Sequence, residues 1–167
     1  MASEPRRPPA KPLKLPRQLV EQQWIDYNGH MNVAYYVLAF DHALDHFFDE
    51  LGIGSRAIEN HGVSIFVVES HIRYLNEVAA NETLDIELQL VDVDRKCLHY
   101  FMQMKRGRDK KVAATIQQLA LCVDMKTRKT AFIPSTVLNI AEPIRQAHKR
   151  LERPAGLCSQ MGIRRKT

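Results

Sequence analysis

Apolar residues recur at three- and four-residue spacing through the stretch 33–51: Val33, Tyr36, Val37, Phe40, Leu44, Phe47, Phe48 and Leu51. That period is helical and predicts one long α-helix. Asn32 suits its N-cap, because a short side-chain oxygen can accept from an orphan amide of the first turn. Gly52 supplies the stop at the other end. The first two turns are apolar almost all round, which predicts a helix enclosed by protein. Only later do Asp41, His42, Asp45, His46, Asp49 and Glu50 provide a wet face.

Elsewhere the period is two. Residues 83–93 alternate Leu84, Ile86, Leu88 and Leu90 with Asp85, Glu87 and Gln89, the pattern of a half-buried strand. Strands are also predicted at 18–25, 63–75, 97–106 and 111–124. The turns at 92–95 and 107–110 are short and polar, as antiparallel hairpins require. A last helix is predicted at 142–152. The order is strand, long helix, then four strands in a meander. The expected class is α+β, an antiparallel sheet of about five strands wrapped around one central helix. Free sheet edges and the remaining helix face then ask for a second subunit.

Composition sets the limits of this domain. Hydrophobic residues are 45% and charged residues 26% of 167, which suits one globular core and excludes global disorder. Five of the eight prolines fall in the first sixteen residues, so 1–17 reads as an extended, disordered basic tail. Residues 156–167 read as a second, frayed basic tail, leaving 18–155 as a single domain. The first 17 residues carry five bases and one acid, and residues 145–167 seven and one. The segment between them holds twelve bases and seventeen acids, so the basicity sits at the ends. The ends lack interleaved aromatics, which argues against a nucleic-acid partner. No apolar run approaches the length of a membrane span, and the N-terminus has no hydrophobic signal core. Three scattered cysteines suit a reducing compartment, so a cytoplasmic location is expected.

The segment Asp26-Tyr27-Asn28-Gly29-His30-Met31-Asn32 carries the chemistry. A strand ends, a carboxylate follows, a glycine permits a tight turn, and a helix begins. The helix start exposes unpaired amides with partial positive charge. A carboxylate beside such amides can attack, or direct water at, a carbonyl whose oxygen rests on them. On the residues alone, Asp26 and Asn32 serve equally well as turn formers and caps.

The run Trp24-Ile25-Asp26-Tyr27-Asn28-Gly29-His30-Met31-Asn32 resembles the Asp-x-x-Gly-His-x-Asn signature of hotdog-fold acyl-CoA thioesterases. Within that fold it is most similar to the 4-hydroxybenzoyl-CoA thioesterase-like branch. Through Trp24–Met31 and the Tyr35-Tyr36 pair it looks closest to the betainyl-CoA thioesterases of carnitine breakdown. The resemblance implies that Asp26 is the catalytic carboxylate and that Gly29 turns the chain into the helix. It further implies that the Val33 amide is an oxyanion donor, with His30 and Asn32 orienting the turn and the thioester. The implied reaction is hydrolysis of a small acyl-CoA to acid and CoA, with Asp26 as nucleophile or general base. No cofactor and no metal is implied. A homodimer or homotetramer with active sites between subunits is expected, and no membrane partner. A hotdog enoyl-CoA hydratase and a non-catalytic acyl-CoA-binding module stand as alternatives.

Around that centre, Trp24, Tyr27, Tyr36 and Phe66 are candidates to contact the acyl group, as aromatic faces suit a trimethylammonium head. They serve equally as core. Glu69 interrupts an apolar run beside His71 and is a candidate for the site of a neighbouring subunit. Arg73, Arg106 and Arg108 are candidates for the CoA phosphates.

Overall fold

Helix α1 spans Val33–Leu51, with Asn32 as its cap and Gly52 in the left-handed region ending it. Tyr36, Ala39, Phe40, Ala43, Leu44, Phe47, Phe48 and Leu51 are buried along one side. They pack on the inner face of an antiparallel sheet, against Leu84, Ile86, Leu88, Leu98, Tyr100, Met102, Ile116 and Ala120. The structure is a computed structural model and describes residues 10–165.

Among the described residues the sheet has six strands: β1 (Leu13–Lys14), β2 (Gln18–Leu19), β3 (Val63–Tyr74), β4 (Thr83–Val93), β5 (Cys97–Arg106) and β6 (Val112–Asp124). Two further helices are α2 (Ala57–His61) and α3 (Ser135–His148). The spatial order is β1-β4-β5-β6-β3, with β2 also on β4. The meander therefore holds only for β4, β5 and β6, and β3 lies beside β6 rather than β4. Alternation sets which face a side chain takes, not which strand lies next door. The chain leaves β3 and crosses to the far edge through Val78, whose carbonyl accepts the Met31 amide at 2.8 Å. That crossing passes the start of α1 and brings Tyr74–Glu77 there.

Several other expectations change. The first predicted strand keeps only Gln18–Leu19, and Gln22–Trp24 form a 3-10 turn. Glu21, Gln22 and Gln23 are all exposed, so this stretch has no alternate face to bury. Within the expected N-terminal tail, Leu13 pairs with Leu88 and Leu15 is buried. Pro12 and Pro16 flank that edge strand, where a missing donor is tolerated; residues 1–9 lie outside the described residues. Helix α3 begins earlier than predicted, just after Pro134, and carries Pro143 on its exposed side.

The expected C-terminal fraying is not seen over 156–165. Gln117, buried on the outer sheet face, accepts from the Cys158 amide at 2.6 Å and donates to its carbonyl at 3.2 Å. Met161 is buried, and Arg165 pairs with Asp92 at 2.8 Å.

The two sheet edges differ. The edge of β4 is covered by β1 and β2, and farther along by His148 of α3, whose Nδ1 accepts the Leu90 amide at 2.8 Å. The edge of β3 has no neighbour among the described residues. There Phe66, Val67 and Val68 are exposed, and a bulge lies between Val67 and Glu69.

His148 ties stability to pH. Its Nδ1 can accept from Leu90 only when unprotonated, and its Nε2 lies 3.1 Å from the Lys11 carbonyl. Burial holds His148 below the usual imidazole value, opposed by that carbonyl. Burial likewise lowers His99, against the charges of Asp92 and Glu69. Below about pH 6.5 the unfolded chain therefore binds more protons than the folded one, and stability present above that pH is lost as pH falls. We expect the urea midpoint to drop from pH 7.5 to pH 5. His148→Phe should flatten part of that slope and cost about 1–3 kcal/mol at pH 7.5, from the unsatisfied Leu90 amide. A slope unchanged in the variant would refute this assignment.

Candidate active site

Residues 25–31 form a small hairpin at the start of α1. Ile25 and Met31 pair as an isolated bridge, the Asp26 amide donates to the His30 carbonyl at 3.1 Å, and the Gly29 amide donates to the Asp26 carbonyl at 3.0 Å. Tyr27, Asn28 and Gly29 make a three-residue loop, which needs a left-handed residue in last place. Gly29 fills it at φ +82°.

The Asp26 carboxylate is held from both sides and is half-buried. Its Oδ1 accepts from the Asn28 amide at 2.8 Å, and its Oδ2 faces the Asn32 Nδ2 at 3.3 Å. The same Asn32 side chain caps α1, with Oδ1 accepting from the Ala34 amide at 3.0 Å. One amide side chain thus joins the carboxylate to the helix start. The Tyr35 amide is taken by the Asn32 carbonyl and the Asn32 amide by the Trp24 carbonyl. Among the described residues, nothing accepts from the Val33 amide. A free amide at a helix start, beside a fixed carboxylate, can polarise a carbonyl while the carboxylate or its water approaches the carbon.

A cavity of about 600 Å³ opens at this point, lined by His30, Met31, Val33, Tyr36 and the Tyr74–Glu77 segment. Tyr36 and Tyr74 meet edge to face, centroids 5.3 Å apart at 80°. His30 Nε2 lies 4.0 Å from the Glu77 carboxylate. The sequence pointed to His30, Val33 and Tyr36 here, but not to Tyr74 or Glu77. These arrive by the β3–β4 crossing, which leaves no mark in local spacing.

Other candidates lie elsewhere in the chain. Trp24 is buried and stacks on Tyr35, with centroids 5.5 Å apart, behind the hairpin rather than in the cavity. Tyr27 is 97% exposed at the hairpin tip. The register puts Phe66 opposite Leu121, Glu69 opposite Leu119 and Arg73 opposite Thr115. These residues share the outer sheet face, away from α1, because cross-strand partners point the same way. Arg73 packs there against Gly156.

The two remaining arginines are engaged. Arg106 is buried, forks onto Asp109 and donates to the Glu77 carbonyl at 2.9 Å. Arg108 Nε lies 3.1 Å from the buried Glu82. The sequence analysis did not pair these arginines with Asp109 or Glu82, and the burial of Glu82 is visible only in the fold.

Residues 20–140 match the family model described as the thioesterase-like superfamily. Among curated proteins, the chain is 34% identical over 92% of its length to the L-carnitine dehydrogenase/betainyl-CoA thioesterase of Rhizobium meliloti. It spans 31% of that protein's length. It is 30% identical to the betainyl-CoA thioesterase of Pseudomonas aeruginosa, over 84% of this chain and 89% of that one. Among solved structures, a Staphylococcus aureus protein described in complex with CoA shares the fold, with TM-score 0.82 and 23% identity. That match covers 92% of this chain and 96% of the other. The architecture is the hotdog fold, as expected.

Gly29 provides a direct test of the hairpin. A Cβ built there meets nothing within 4 Å, so the cost of Gly29→Ala comes from the backbone alone. We expect a loss of about 1 kcal/mol, and less for Gly29→Asn, which tolerates the left-handed region. Equal thermal midpoints for all three proteins would rule out the hairpin geometry.

Proposed function

The chain belongs to the thioesterase-like superfamily, and from that premise we propose that it hydrolyses a small acyl-CoA thioester, betainyl-CoA, to the free acid and CoA. The observation that carries the reading is the Asn32 bridge between the Asp26 carboxylate and the start of α1. The thioester carbonyl oxygen rests on the Val33 amide, and Asp26 acts on the carbonyl carbon. As nucleophile, Asp26 forms a mixed anhydride and expels the CoA thiolate, and water then cleaves the anhydride. As general base, it takes a proton from the attacking water while the thiolate leaves. A thiolate is a good leaving group, near pKa 8.5 for an ordinary thiol, so no strong general acid is demanded. The names of the curated relatives support betainyl as the acyl group.

Asp26→Asn keeps an oxygen for the Asn28 amide but removes the charge and the acceptor that faces Asn32 Nδ2. Turnover in a thiol-release assay should fall by at least about a hundredfold. Near-normal turnover would exclude Asp26 from the reaction. Hydration of crotonyl-CoA without thiol release would favour a hydratase instead.

We further propose that two copies associate through β3. The exposed residues Val67 and Val68 on its open edge support this, together with Val33, Val37 and Leu38 on α1. An open apolar edge invites pairing with a second strand, and here the cavity at Tyr74 lies beside it. Val68→Lys should shift the protein toward monomer in analytical ultracentrifugation and lower thiol release with it. A variant that stays associated would move the interface elsewhere.

A further inference from the structure

The cavity wall opposite the Val33 amide has a specific chemistry. Two rings, Tyr36 and Tyr74, meet edge to face at 80°, Tyr36 forming the floor of the corner and the more exposed Tyr74 its side. Glu77 is the only carboxylate among the lining residues. Its side chain is 73% exposed, and His30 Nε2 stays 4.0 Å from the carboxylate. Arg106 stands close behind, but its Nε and Nη2 are committed to Asp109, and its Nη1 holds the Glu77 carbonyl rather than the carboxylate. The guanidinium therefore fixes the Glu77 backbone and leaves the negative charge to the cavity. Burial pushes the Tyr36 phenol up, with the Val78 backbone opposing and the Glu77 charge adding to it.

Two aromatic rings lining the cavity and one free carboxylate make an environment for a cation that cannot donate hydrogen bonds. Reach decides between this corner and the other acids of the helix. In a betainyl thioester the ammonium nitrogen is two bonds from the carbonyl carbon. Tyr36 is within one turn of Val33, about 5 Å along the helix axis, whereas Asp41 and Asp45 lie about 12 and 18 Å along it. The Tyr36–Tyr74–Glu77 corner lines the same cavity as Val33, and Asp41 and Asp45 do not line it.

We propose that Glu77, together with the ring faces of Tyr36 and Tyr74, forms a subsite for a quaternary ammonium group on the acyl chain and so determines specificity. This rests on the thioester hydrolase reading above. The test compares betainyl-CoA with 3,3-dimethylbutanoyl-CoA, in which a tert-butyl group replaces trimethylammonium at equal shape and no charge. The wild-type ratio of kcat/KM should favour the cation by about tenfold, and Glu77→Gln should abolish most of that ratio. Tyr74→Leu should lower it too, and Glu77→Asp, which keeps the charge, should retain it. Reading a ratio cancels any general loss from misfolding. Calorimetric binding of the two thioesters to Asp26→Asn, with and without Glu77→Gln, separates the two claims. Hydrolysis without preference for the cation, or a ratio unmoved by Glu77→Gln, overturns the subsite and leaves the hydrolase. Preferential binding of the cation that Glu77→Gln removes, with no hydrolysis by the wild type, keeps the subsite and overturns the hydrolase.

Discussion

A helix that buries one side against a sheet still has to begin, and its first amides must be met there. In this chain the Asn32 side chain meets one of them at Ala34 and uses its other end to hold Asp26. The rest of the site follows from that double contact. The hairpin that carries Asp26 closes at the Ile25–Met31 bridge, directly before Asn32 enters α1. Gly29 is needed because a three-residue loop cannot close without a left-handed residue. The Val33 amide stays free because Asn32 caps one residue farther on.

Topology then decides what faces the helix start. The chain returns from β3 to β4 past α1, and the Val78 carbonyl locks that passage to Met31. Tyr74 and Glu77 sit at the cavity because of this crossing, not because of any local preference of their own. The same layout leaves the two sheet edges unlike. The chain's own segments seal β4, through β1, β2 and the His148 contact, while β3 keeps an apolar rim. Edge strands with unpaired amides and exposed valines are places where chains join. The helix residues Val33, Val37 and Leu38 extend that rim on the inner side.

The outer face is organised by different means. Gln117 offers its amide to the backbone of Cys158 as a strand would, and so holds the C-terminal segment flat against β6. Arg165 reaches Asp92 at the end of that segment. The bases that make this terminus look like a solvated tail are partly neutralised by acids of the sheet. A count of charges by segment cannot show such pairing, since it joins residues more than seventy positions apart.

What the sequence determined by itself was local. The three- and four-residue spacing of large apolar side chains defined α1, Asn32 and Gly52 marked its ends, and strict alternation located β4 and β5. The short motif around Gly29 gave the hairpin its loop and pointed to Asp26. Each of these depends on residues a few positions apart, where backbone geometry alone sets which side chains meet. Only the tertiary structure decided that β3 lies beside β6, that Glu69, Arg73 and Phe66 face away from α1, and that Arg106 and Arg108 are already occupied. It also decided that Tyr74 and Glu77 stand over the helix start. Those outcomes follow from strand order, from the turn that folds Asp109 back onto Arg106, and from the Arg108–Glu82 pair across the fold. The first and the last are fixed by how surfaces pack as a whole, and the period of a single segment carries no trace of them.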